Sequence, residues 1–126
     1  MNESVQQRIP FKYLSHPVEV AEQKIRNYLL NINHSVGGSK AKFFLGKGFS
    51  EAEWKVFAGA IELHPIDNPI QDEEPTGYGL RVRIVCKLKT PDGSDPCIRT
   101  IWMVEGTQAP RLVTAYPSRG PDQLES

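Results

Sequence analysis

No stretch of this chain stays apolar for the ~18 residues that a membrane-spanning helix needs. The first eight residues, Met-Asn-Glu-Ser-Val-Gln-Gln-Arg, lack the apolar core of a secretory signal. The sequence therefore reads as a cytoplasmic protein with no membrane attachment. Cysteine is scarce too. Cys86 and Cys97 are the only two, without CxxC spacing, which excludes a disulfide framework and leaves two small hydrophobes inside predicted strands. His16, His34 and His64 lie far apart and lack metal-ligand spacing, so no metal site is expected. No P-loop, no GxGxxG after a strand and no HExxH occur, and no cofactor is expected. Internal repeats and low-complexity tracts are absent as well.

There is also no net charge: 15 basic residues cancel 15 acidic ones, which excludes a globally basic nucleic-acid binder. The distribution is uneven, however. Residues 1–48 carry seven Lys or Arg against three acids, residues 49–75 carry one against seven, and residues 76–116 carry six against three. An acidic middle between basic flanks makes a local basic surface available without a basic pI. With 126 residues, 39% of them apolar, the chain can bury one modest core. We expect a flexible N-terminus over 1–8, a single domain over 9–117 and a flexible tail over 118–126.

The expected fold class is α+β: two or three N-terminal helices packed on a C-terminal antiparallel meander sheet of three strands, with room for a fourth. Ile9–Leu14 is an apolar patch that fits a turn or a first strand. Val18, Ala21, Ile25, Tyr28 and Leu29 recur at helical spacing and predict a helix from Val18 to Leu30. Ser39 is placed to cap a short helix that drives Phe43 and Phe44 into the core. Ser50 and Glu53 form a capping box for a helix from about Glu51 to Leu63, which His64-Pro65 would end. Asp67–Thr76, with Pro69, Pro75 and three consecutive acids, reads as a mobile loop. Beyond Tyr78 the period becomes two. Leu80–Leu88, Cys97–Val104 and Arg111–Tyr116 alternate as strands, and Thr90-Pro-Asp-Gly joins the first pair as a turn.

Two places could carry chemistry. In His34-Ser-Val-Gly-Gly-Ser-Lys-Ala-Lys, the glycines at 37 and 38 would let backbone approach a ligand. Ser39 would meet an anion there, with Lys40 and Lys42 adding charge. The alternative is a plain helix start with its lysines in solvent. The second place is the polar sheet face, where Arg81, Arg83, Lys87 and Arg99 would face phosphate groups, or simply water. If strand alternation holds, Thr100 and Thr114 point away from Arg99 and Arg111.

Several segments resemble an uncharacterised bacterial family built on a domain of unknown function. They are Asn27-Tyr-Leu-Leu-Asn, Gly37-Gly-Ser-Lys-Ala-Lys-Phe-Phe, Gly48-Phe, Tyr78-Gly, Thr90-Pro-Asp-Gly, Arg99-Thr-Ile-Trp and Pro110-Arg-Leu-Val-Thr-Ala-Tyr-Pro. The resemblance covers about Ile9 to Pro117. Gly38, Lys40, Lys42, Arg99, Thr100, Trp102, Arg111, Thr114 and Tyr116 match its motif positions, and Ile101 stands where valine is expected. Such proteins are small stand-alone chains, often labelled adhesins, or domains of phage-associated or toxin-like proteins. The helices-then-meander layout is also similar to ribonuclease toxins of the barnase-like and RelE-like folds.

The Gly-Gly-Ser-Lys cluster and the basic strand face together suggest a nucleic-acid-directed, metal-independent ribonuclease-like domain of toxin type. His34, Lys40, Arg99 and Thr114 would be catalytic, and Gly38, Ser39, Lys42, Arg81, Arg83 and Arg111 would bind. The expected partner is RNA. The rival expectation is a non-enzymatic accessory module that binds a protein or small ligand through the acidic segment Glu51–Glu74.

Overall fold

The computed structural model describes residues 12–118. The expectations for residues 1–8 and for the tail beyond Ser118 lie outside the described residues. A single helical turn, α1 (Glu22–Lys24), continues directly as a π-helix (Ile25–Leu29). It is followed by α2 (Gly38–Gly46), α3 (Trp54–Asp67), β1 (Ile70–Pro75), β2 (Leu80–Lys87), β3 (Cys97–Val104) and β4 (Arg111–Pro117). The strands form one antiparallel sheet in the order β1-β2-β3-β4. The fold is thus α+β, helices first and sheet last, as the change of period predicts.

The sheet has four strands, and β1 occupies the segment expected to be a mobile loop. Alternation of apolar residues does not make this strand. Opposite charges across the ladder do. Asp72 faces Arg83 and Glu74 faces Arg81, each at 3.6 Å. Pro75 sits at the strand's last position, where its missing N–H interrupts little of the ladder.

One face of the sheet carries the core. Val82, Ile84, Ile98, Trp102, Leu112 and Ala115 meet Ile25, Leu29, Phe44, Phe57 and Ile61 from the helices. Phe49, Phe44 and Phe57 form an aromatic knot, with Phe49 and Phe57 centroids 4.6 Å apart. The Thr90-Pro-Asp-Gly turn forms as expected: the Gly93 N–H reaches the Thr90 carbonyl at 3.0 Å and Gly93 takes φ +78°.

The helix boundaries shift for identifiable reasons. The first helix starts at Glu22 because the preceding backbone is used elsewhere. The Glu19 N–H binds the Pro110 carbonyl, and the Glu19 carbonyl accepts the Leu112 N–H, so this segment runs beside β4 as a short parallel bridge. Gly37, not Ser39, is the N-cap of α2, because the Gly38 N–H is already satisfied by the His34 carbonyl. Ser50 does accept the Glu53 N–H at 3.2 Å, but the regular helix begins only at Trp54. Nor does His64-Pro65 end α3, which continues to Asp67.

What holds that last turn is a buried polar network. His64 is 1% exposed and Thr100 is fully buried. The Trp102 indole N–H donates to Thr100 Oγ1 at 2.8 Å, so the threonine hydroxyl donates onward to His64 Nδ1 at 2.9 Å. His64 Nε2–H then donates to the Cys86 carbonyl at 2.9 Å. Every member is satisfied with a neutral imidazole, and burial lowers the His64 pKa against weaker opposing contributions from the backbone carbonyls and Asp67. The sign of the linkage follows. Below an unfolded pKa of about 6.5 the unfolded chain binds a proton that folded His64 refuses, so stability falls as pH falls through this window. Urea denaturation should show a lower midpoint at about pH 5.5 than at about pH 7.5, and a His64→Gln variant should flatten the difference.

The last strand departs from simple alternation. Trp102 pairs with Leu112 and Ile101 with Thr114, so Val113 is an extra residue in β4. Before this bulge Leu112 faces the core. After it Ala115 does, and Thr114 and Tyr116 turn to the outer face with their partners Ile101 and Arg99. Arg111 pairs with Met103 on that same outer face. Thr114 therefore shares the face of Arg99 and Arg111, against the expectation from strict alternation.

Candidate functional site

Three elements converge on one ammonium group. The π-helix presents Tyr28, α2 presents Lys40 and the bulged β4 presents Thr114. Lys40 Nζ donates to Tyr28 Oη at 2.5 Å and to Thr114 Oγ1 at 3.2 Å, and the two hydroxyls lie 3.3 Å apart. Lys40 Nζ also stands over both tyrosine rings, 4.9 Å from the Tyr28 centroid and 5.6 Å from that of Tyr116. Tyr116 in turn bears Arg99, whose guanidinium carbon is 5.8 Å from its ring. A short chain of contacts thus runs from Tyr28 through Lys40 and Tyr116 to Arg99, with Thr114 bonded to the first two.

Wall-building explains how Tyr28 comes to be there. The Tyr28 and His34 rings meet edge to face at 4.9 Å. His34 Nδ1 accepts the N–H groups of Val36 and Gly37, both at 3.0 Å, so the neutral ring carries its hydrogen on Nε2. The Gly-Gly pair serves close approach, but to the protein itself. A β-carbon on Gly37 would stand 2.7 Å from the Tyr28 ring and 2.9 Å from its carbonyl oxygen, and one on Gly38 would stand 2.7 Å from the Ile32 carbonyl. Gly37→Ala is therefore expected to displace Tyr28 and destabilise the fold by about 1–3 kcal/mol. Thermal denaturation, with tyrosine near-UV circular dichroism as the local probe, checks both effects.

The electrostatics of the centre are one-sided. Most surface cations near the sheet are answered by acids: Arg81 by Glu74, Arg83 by Asp72, Arg111 by Glu105 and Lys12 by Glu73. Among the described residues no carboxylate pairs with Lys40 or Arg99. Arg99 donates to Ser118 Oγ, at 3.5 Å, and its buried Nε has no hydrogen-bond partner among those residues. Burial pushes the Tyr28 phenol up. The hydrogen bonds from Lys40 and Thr114 and the charges of Lys40 and Lys24 outweigh that push and hold the phenol below its ordinary value.

Of the residues that the sequence points to, Lys40 and Thr114 touch, Arg99 joins them through Tyr116, and His34 stands one ring away beyond Tyr28. Gly38 lies in the α2 start, packed against the Ile32 carbonyl. Ser39 and Lys42 are exposed on α2, outside this contact chain. Arg81, Arg83 and Arg111 lie on the outer sheet face, each in an ion pair. In the sequence Tyr28 is a core position of its helix within a family segment, and Tyr116 is a strand residue and a family mark. Both rings flank Lys40, and the one signal for them was a phenol recurring beside each motif, in Asn27-Tyr28 and Thr114-Ala-Tyr116.

An open depression of about 620 Å³ adjoins Tyr28, lined by Ala21, Gln23, Lys24, Asn27, His34 and Val36. A second, of about 310 Å³, shares Ala21 and Lys24 with it and continues to Arg111 and Val113. No helix among the described residues is long and apolar enough to cross a membrane.

Neither a curated protein nor a solved structure matches the chain. Residues 15–119 match the sequence profile of a domain of unknown function, DUF6883, so nearly the whole chain belongs to that family.

Proposed function

We propose that this domain is an RNA-directed ribonuclease that works through the Tyr28–Lys40–Thr114 centre. The observation that carries the reading is a pair of cations, Lys40 and Arg99, without carboxylate partners among the described residues and held beside a phenol whose pKa is depressed. Phosphoryl chemistry on RNA needs a group to take the 2′-hydroxyl proton, a cation for the charge that develops on the phosphate, and a donor to the leaving oxygen.

In this reading Tyr28, as phenolate, takes the proton of the 2′-hydroxyl while that oxygen forms a bond to the adjacent phosphorus. Arg99 and Lys40 hold the phosphate oxygens. Lys40 gives a proton to the 5′-oxygen as the phosphorus–oxygen bond to it breaks, and the products are a 2′,3′-cyclic phosphate and a 5′-hydroxyl. Tyr28 then returns its proton to Lys40 across their 2.5 Å contact, so the protein ends as it began. Thr114 orients the pair, and His34 is a positioning residue that fixes the loop against Tyr28.

The test is cleavage of total RNA by the wild type beside Tyr28→Phe and Thr114→Val. Cleavage that climbs with pH on an alkaline limb, and loses that limb in Tyr28→Phe, supports the assignment. RNA bound but left intact by the wild type would move the domain to the accessory-module class.

A further inference from the structure

We propose that the depression beside Tyr28 is a nucleobase subsite and sets which RNA sequence is cut; this rests on the RNA reading of the neighbouring centre. A nucleobase is flat, apolar on its faces and polar around its edge, and the depression has that chemistry. Val36 is 67% exposed although it is aliphatic, and with Ala21 and the Tyr28 ring it offers an apolar surface. Gln23 and Asn27 are exposed amides on the rim, each with donors and acceptors suited to a base edge, and His34 lines the same wall.

Charge places the backbone of the strand. Lys24 lines both this depression and the second one, which leads to Arg111 and Glu19, and its Nζ stands 5.4 Å from the Tyr28 centroid. Among the described residues no carboxylate pairs with Lys24, and its position suits the phosphate that follows a base seated beside Tyr28. Lys40 Nζ stands 4.9 Å from the same ring centroid, so a base in the depression would present its own phosphate or its neighbour's to the reactive centre. Affinity from Lys24 is independent of sequence, whereas the two amides discriminate. The ligand is therefore single-stranded RNA with one base out of its stack.

Two measurements test the inference, and the first needs no cleavage. Binding of the four nucleoside 5′-monophosphates is followed by NMR at the Gln23 and Asn27 side-chain amides and the Val36 methyls. One base should bind with shifts at these groups, and about tenfold more tightly than the weakest. Equal binding of all four, or shifts confined to the surroundings of Arg81 and Arg83, would overturn the subsite. The second measurement sequences the ends of cleaved RNA. Asn27→Ala combined with Gln23→Ala should even out the preferred base next to the cut, with a loss of about tenfold in kcat/KM on the preferred sequence. An unchanged cleavage pattern in that double variant would overturn the inference while leaving the catalytic centre standing. Selective nucleotide binding with RNA left intact would instead remove the ribonuclease reading and keep the base subsite.

Discussion

Replacing Lys40 with methionine is expected to lower RNA cleavage by about 10²–10⁴-fold, the range that a positioned proton donor supplies. Methionine keeps most of the aliphatic stem of the side chain, so the packing of the site survives. The Tyr28–Thr114 contact, at 3.3 Å, does not depend on the ammonium. Loss of the charge has a second readout. Lys40 supplies both a hydrogen bond and a charge that lower the Tyr28 pKa, so the variant's phenol should titrate higher in an ultraviolet difference spectrum. Lys40→Arg separates charge from proton transfer. Its guanidinium keeps the positive charge but does not give up a proton, so phosphate binding should persist while turnover remains low.

The largest expected effect on stability lies at Thr100. Thr100→Val preserves shape but removes the hydroxyl between two buried partners. The Trp102 indole N–H then has no acceptor and His64 Nδ1 has no donor. Each orphaned group costs about 1–3 kcal/mol, so the variant should lose about 3 kcal/mol or more of stability. Urea titration measures the loss directly. Thr100→Ser keeps the hydroxyl and should lose only about 1 kcal/mol from the missing methyl. If both variants lost the same amount, packing rather than the hydroxyl would hold this part of the core together.

The network also shows where sequence patterns stop being informative. Alternation in Leu80–Leu88 and Cys97–Val104 predicts β2 and β3 closely, because one face of each is buried and every second residue must be apolar. The Pro-Asp-Gly turn is legible for the same local reason. β1 is not, since its register comes from Asp72 and Glu74 meeting arginines that lie eleven and seven residues further along the chain. Polar residues with two adjacent prolines carry no trace of such a partner. His64 looked like a helix terminator beside Pro65, whereas its partners Thr100 and Cys86 come from strands far away in sequence.

The candidate site divides in the same way. Lys40, Arg99 and Thr114 stand out as polar residues in unusual clusters, and their types suggest phosphate chemistry before any geometry is known. Their arrangement depends on the bulge at Val113, which reverses the face that Thr114 and Tyr116 would otherwise take. Nothing in Arg111-Leu-Val-Thr-Ala-Tyr-Pro announces that extra residue. Tyr28 is hidden for a different reason: a tyrosine on the apolar stripe of a helix satisfies the core pattern, and only its hydroxyl, not its ring, leaves that pattern. The phenol is depressed by Lys40, twelve residues away and on another helix, together with Thr114 and Lys24.

A single atom of the substrate tests the central claim most directly. The wild-type protein is incubated with an oligoribonucleotide it cleaves and with the same oligonucleotide carrying one 2′-deoxy residue at the cut. Attack by the 2′-oxygen predicts cleavage of the first, with a 2′,3′-cyclic phosphate on one product, and no cut at the substituted position in the second. Equal cleavage of both at that position would contradict the role given to Tyr28, Lys40 and Thr114.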